Sequence, residues 1–187
     1  MARHTDDNGT RPRNRWSLPI WGGAALLLSI PAIAMRFTSE VDWGPEDFIV
    51  MGAMLAIACG SYEFVTRLSS NWAYRAGAAA AIVVSFLTVW VNLAVGMLGD
   101  EGNPANMMFG LVILVAAIGA LVAGFRPAGM ARAMEAAAVA QGAMTLYALF
   151  GGYAEVVFHV GFFILPWLVA AQLFRKAARQ QPPGAPR

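Results

Sequence analysis

The side chains with the most chemical potential in this chain are few and lie in apolar surroundings. Glu63 follows Ser61 and Tyr62 near the end of an apolar run, and Arg67 comes four residues later. On a helix that spacing puts both on one face, where they can pair. An ionisable group inside a bilayer is costly, so Glu63 is a candidate proton or cation site. The plainer alternative is an interfacial ion pair that anchors the helix end, its long basic partner snorkelling to water.

His159 is one of two histidines, the other being His4, and it falls one helical turn after Glu155. The two could act as a carboxylate–imidazole relay or contribute to a metal site. A lone histidine cannot form a bis-histidine haem site. Asn92, next but one to Trp90, and Gln141 with Thr145 are polar residues inside apolar runs. They could line a substrate cavity or simply hydrogen-bond between helices. Glu63, Asn92, Gln141 and His159 are therefore the candidate intramembrane polar site.

The stretch Asp100-Glu101-Gly102-Asn103-Pro104-Ala105-Asn106, with Glu40, Asp42, Glu46 and Asp47, offers oxygen ligands for a hard cation such as Ca²⁺. It lacks the spacing of a twelve-residue calcium loop, so a solvated acidic loop is the default reading. Cys59 is the only cysteine, which excludes internal disulfides and cysteine-cluster metal sites. The sequence contains no nucleophile elbow, phosphate-binding glycine loop or zinc-binding helix motif. No catalytic, metal or cofactor site is assigned, and a non-enzymatic protein is expected.

The elements that must hold these residues follow from composition. Of 187 residues, 58% are hydrophobic and 13% charged, half the charge of a typical soluble domain. The net charge of +2 is no signature of nucleic-acid binding. The apolar runs predict an all-α integral membrane bundle of six transmembrane helices, spanning about 18–35, 45–68, 74–98, 104–125, 134–150 and 154–174. The polar segment 1–15 and the proline-rich segment 177–187 are expected to be disordered tails flanking a 16–176 membrane domain.

Local signals mark several helix starts. Gly44-Pro45-Glu46-Asp47 places proline in the first turn and acids near the positive end of the helix dipole. Asn103-Pro104 reads as a cap and first turn. Arg126-Pro127 marks a helix end, because the residue before proline avoids the helical region. Small residues four apart, Gly52/Ala56/Gly60, Gly77/Ala81 and Ala116/Ala120/Gly124, would let helices approach closely. Trp16, Trp21, Trp43 and Trp72 sit at expected interfaces.

Arginine and lysine placement sets orientation. With the N-terminus and C-terminus cytoplasmic, twelve of the thirteen basic residues lie inside and only Arg36 outside. The acidic residues Glu40, Asp42, Glu46, Asp47, Asp100, Glu101 and Glu155 fall on the outer side. A rival reading takes the N-terminal arginines, the first apolar run and Ala32-Ile33-Ala34 as a signal peptide with its cleavage site. Cleavage would leave the remaining spans without their cytoplasmic start and spoil the charge bias.

Three stretches carry a resemblance. They are residues 41–48 (Val41-Asp42-Trp43-Gly44-Pro45-Glu46-Asp47-Phe48), residues 90–96 together with 102–106, and residues 126–133. With them the chain resembles a family of uncharacterised small multi-span inner-membrane proteins of bacteria, most closely over residues 40–135. The resemblance implies a membrane location and no mechanism. If the family shares a site, these stretches would build it from the outer loops with Asn92. The expected role is an accessory, scaffold or sensor subunit, in contact with the lipid bilayer and with a membrane-protein partner or a homo-oligomer. A small transporter or channel for an ion or polar solute is the alternative.

Overall fold

The computed structural model describes residues 17–181. The tail expected over 1–15, its four arginines, His4 and Trp16 lie outside the described residues, as does 182–187. The described chain is helical, without strands: α1 (Ser17–Ala34), α2 (Pro45–Leu68), α3 (Trp72–Ala94), a 3₁₀ turn (Pro104–Met108), α4 (Phe109–Val122), α5 (Pro127–Phe150), a second 3₁₀ turn (Ala154–Val156), α6 (Val157–Phe162) and α7 (Ile164–Arg179). Five helical segments are long and apolar enough to cross a membrane: Pro45–Leu68, Trp72–Ala94, Pro104–Val122, Pro127–Phe150 and Ala154–Arg179. The sixth apolar stretch, Leu18–Ala34, is a shorter helix, roughly 26 Å long against a hydrocarbon core of about 30 Å.

The chain divides into two compact units, Met1–Cys59 and Gly60–Arg187, with the boundary inside α2. In the first unit, Leu28 packs against Gly52, 3.7 Å from where a Cβ would stand. The Cys59 thiol lies 3.9 Å from the Ile20 carbonyl. α2 starts with a reciprocal cap: the Gly44 N–H donates to Asp47 Oδ2 at 2.9 Å, while the Gly44 carbonyl accepts from Asp47 N at 3.2 Å.

In the second unit α5 is the central helix. It packs on α4, α6 and α7, and α7 in turn packs on α3. α5 has the lowest hydropathy of the five long helices and the largest buried share. Both follow from its alanines: Ala131, Ala133, Ala137, Ala138 and Ala148 are all buried and let neighbouring backbones close in. A Cβ on Gly119 of α4 would stand 2.7 Å from Ala133 Cβ, and one on Gly77 of α3 would stand 3.3 Å from the Ala170 carbonyl of α7. Trp167, Tyr74, Phe109, Phe174 and Leu98 fill the space these close approaches leave.

Several helix ends are held by side chains. Asn71 caps α3, its Oδ1 accepting from Ala73 N at 2.9 Å and Tyr74 N at 3.1 Å. Arg75 reaches back to the end of α2, donating to Ser69 O at 2.8 Å and Thr66 O at 2.9 Å. The α4–α5 turn contains Phe125 at φ 56°, an uncommon conformation for a bulky residue. Two groups hold it: the Tyr74 hydroxyl donates to its carbonyl at 2.7 Å, and its ring stacks edge-on against Phe64 at 5.4 Å. Replacing Tyr74 with Phe deletes that one hydrogen bond and leaves the ring packing in place. A loss of about 1 kcal/mol is expected, read as a modest fall in the thermal midpoint of the detergent-solubilised protein.

The last span is broken. After the 3₁₀ turn at Ala154–Val156, α6 ends at Phe162 and α7 begins at Ile164. Pro166 is the cause: it has no N–H for the Phe162 carbonyl, and its ring crowds that carbonyl. α7 then continues to Arg179, with Ala177 buried, three residues into the segment expected to be a disordered tail.

Candidate functional site

The polar residues of the second unit fall into three groups: one at each end and one in the core. At the end formed by the α2–α3 and α4–α5 connections and the C-terminus of α7, Arg67 Nη2 contacts Glu63 Oε1 at 2.8 Å. Arg175 Nη2 lies 2.7 Å from Glu135 Oε1, linking α7 to α5. The Lys176 ammonium sits 4.4 Å from the centre of the Trp72 ring. Asn71 Nδ2 donates to Gln180 Oε1 at 3.0 Å. Arg126 and Arg132 belong to the same end and are exposed. The Glu63–Arg67 pair forms at the spacing read from sequence. Its arginine side chain is 69% exposed, which screens the attraction. Glu63→Gln is accordingly expected to change stability by under about 0.5 kcal/mol. A larger fall in thermal midpoint would show that the carboxylate does more than anchor the helix.

The opposite end is organised by two asparagines. Asn106, 7% exposed, accepts at Oδ1 from Met97 N at 3.0 Å and Leu98 N at 2.8 Å, and its Nδ2 donates to Asp100 O at 2.7 Å. Asn103 donates from Nδ2 to Leu98 O and to the Tyr153 hydroxyl, each at 2.8 Å, and accepts from Ala105 N at 3.0 Å. Gly96 turns the chain at φ 70°, and a Cβ there would overlap the Asp100 carbonyl. Only glycine fits. This geometry bears on the cation reading of the loop. Both lone pairs of Asn106 Oδ1 already receive N–H groups, and Asn103 Oδ1 caps the following turn. The asparagines are structural clamps, not open oxygen ligands. Among the described residues, no three His, Cys, Asp or Glu side chains gather closely enough to hold a metal ion.

His159 lies exposed on α6, its ring against Phe158 at 6.0 Å. It makes no ion pair with Glu155, which is also exposed. Glu155 belongs to a 3₁₀ turn, whose three residues per turn carry positions 155 and 159 apart in angle. Four-residue spacing would align them only on a continuous α-helix.

In the core, Gln141 is fully buried on α5, and its Nε2 donates to Val160 O at 2.9 Å. That carbonyl lies in the last turn of α6, just before the break. Thr145 donates to the Gln141 carbonyl at 3.0 Å. Asn92, half-buried on α3, donates to Thr88 O of its own helix at 2.7 Å. Gln141 Oε1, Asn92 Oδ1 and the indole nitrogen of buried Trp167 have no hydrogen-bond partner in the chain. No hydrogen bond joins Asn92, Gln141 and His159 to one another, and Glu63 pairs with Arg67. Sequence reading did not reach Trp167, Glu135 or Tyr74. Pro166, three residues past the break, was the available signal for the helix interruption.

Five helices of membrane-crossing length and composition define a class: an all-helical chain compatible with a multi-pass membrane protein. No protein-family model matches the chain, and no curated protein or solved structure shows similarity to it.

Proposed function

We propose that this chain is a multi-pass protein of the bacterial inner membrane, with both termini in the cytoplasm. It acts there as a non-enzymatic accessory, scaffold or sensor subunit through lateral contact with a membrane-protein partner or another copy of itself. The observation that supports this reading is how the polar side chains are used. Glu63 is spent on Arg67, Asn92 on its own helix and Gln141 on the Val160 carbonyl, while His159 points away from the packed core. Polar groups serving transport would converge on one pathway. The same distribution of basic residues that sets the orientation, and the resemblance over residues 40–135, underlie the choice of membrane.

The alternative is a small transporter or channel for an ion or polar solute. One observation favours it: the helix broken at Phe163 with a buried glutamine beside the break. Discontinuous helices of that kind form solute sites in transporters.

Affinity purification from native membranes distinguishes the two. A defined membrane protein should co-purify in constant ratio, or the chain should run as a fixed oligomer. Recovery as a lone monomer that supports solute flux in liposomes would overturn the accessory reading.

A further inference from the structure

The last turns of α7 carry Arg175, Lys176 and Arg179. At 3.6 residues per turn, these and the apolar Leu165, Leu168 and Val169 fall within about 120° of arc around the helix. All six are exposed. The opposite sector holds Ala170, Ala171, Phe174 and Ala177, which are buried. One outward face therefore changes character along its length, from apolar side chains to cations roughly 10–20 Å further on. Neighbouring helices neutralise little of that charge. Glu135 of α5 takes Arg175 at 2.7 Å. The Trp72 ring of α3 lies 4.4 Å from the Lys176 ammonium, and a ring carries no counter-charge. Among the described residues, neither Lys176 nor Arg179 forms an ion pair. Arg179 follows Lys176 by three residues and Arg175 by four, spacings at which like charges repel on a helix.

We propose that this face of α7 binds an anionic phospholipid, its phosphate held by Lys176 and Arg179 and its acyl chains lying along Leu165, Leu168 and Val169. The proposal rests on the membrane reading above, in which the end of α7 is cytoplasmic. A phosphate relieves the repulsion among the cations and accepts charge-assisted hydrogen bonds from ammonium and guanidinium alike. Basic clusters where a helix meets the cytoplasmic leaflet attract anionic lipid in this way. Trp72, 57% exposed beside Lys176, suits the headgroup level. An acidic protein segment would satisfy the cations and leave the apolar strip uncovered. A lipid supplies both chemistries in the order that the helix presents them.

The test is native mass spectrometry of the full chain, delipidated in detergent and titrated with phosphatidylglycerol or with phosphatidylcholine of the same acyl chains. Each basic contact with an anionic headgroup changes affinity about fivefold, so phosphatidylglycerol should bind at least about fivefold more tightly. Lys176→Gln with Arg179→Gln should bring the two affinities together. Arg126→Gln with Arg132→Gln removes the same charge from the same end and should keep the preference. Glycerol 1-phosphate, a headgroup without acyl chains, should not displace the lipid. Equal affinities in the unmodified chain overturn the proposal, as do equal losses in the two double variants or displacement by the soluble phosphate. Should the first double variant fail to fold, Arg179→Gln alone decides: a fall of about fivefold supports the site, and an unchanged preference refutes it. Alkaline carbonate washing tests the membrane reading separately, so a chain retained in membranes but without the preference refutes the lipid site alone.

Discussion

Asn106→Ala is expected to destabilise the protein by about 2–4 kcal/mol, one of the two largest effects of any single substitution considered. The side chain ties three backbone groups across residues 97–106, two of them the N–H groups of buried Met97 and Leu98. Alanine leaves both donors unsatisfied, at about 1–3 kcal/mol each. Partial relaxation of the loop toward water recovers some of this. Asn106→Asp separates the contributions. A carboxylate still accepts from both N–H groups but confronts the Asp100 carbonyl with no donor. Its loss should be smaller, on the order of 1–2 kcal/mol. Thermal unfolding in detergent should rank unmodified chain, Asp and Ala in that order. An alanine variant as stable as the unmodified chain would show that the loop is not held by this residue.

Gly119→Leu should have the second large effect, through assembly of the helices. A Cβ alone at position 119 would overlap Ala133 Cβ at 2.7 Å and approach Ala133 Cα at 3.2 Å, where carbon atoms prefer about 3.5–4 Å. Neither neighbour is a flexible side chain, so α4 and α5 must separate. Overpacking of this kind costs about 1–3 kcal/mol for a small addition, and leucine adds three further carbons. Gly119→Ala should lower the thermal midpoint, and Gly119→Leu should fail to accumulate as a monodisperse species in size-exclusion chromatography. Gly110 on the same helix has nothing within 4 Å of its notional Cβ, so Gly110→Ala should leave the profile unchanged. Equal behaviour at the two glycines would contradict the close α4–α5 packing.

These two positions illustrate what was legible in the sequence. Helix starts could be read from local chemistry: proline in the first turn at Pro45 and Pro104, with Asp47 and Asn103 closing caps through their own backbone neighbours. The Glu63–Arg67 pair was equally local. What the sequence concealed depends on tertiary position. The 134–150 stretch looks the weakest of the apolar runs because alanine contributes little hydropathy. That same smallness is what lets α5 sit at the centre. Glu135 meets Arg175 across two helices, forty residues away in the chain. Spacing also misled: Glu155 and His159 align only on a regular helix, and the 3₁₀ turn removes that regularity. Pro166 could have announced the break, had the run been treated as interruptible.

The central claim is that the ends of the second unit lie on opposite sides of a bilayer, with its basic end in the cytoplasm. Cys59 is the only native cysteine, so a Cys59→Ser background permits single-site labelling. Glu101→Cys places a thiol at the exposed α3–α4 loop and Ala128→Cys at the exposed start of α5. A membrane-impermeant maleimide applied to intact spheroplasts should label position 101 at once, and position 128 only after permeabilisation. Labelling of both from outside, or of 128 alone, would contradict the account.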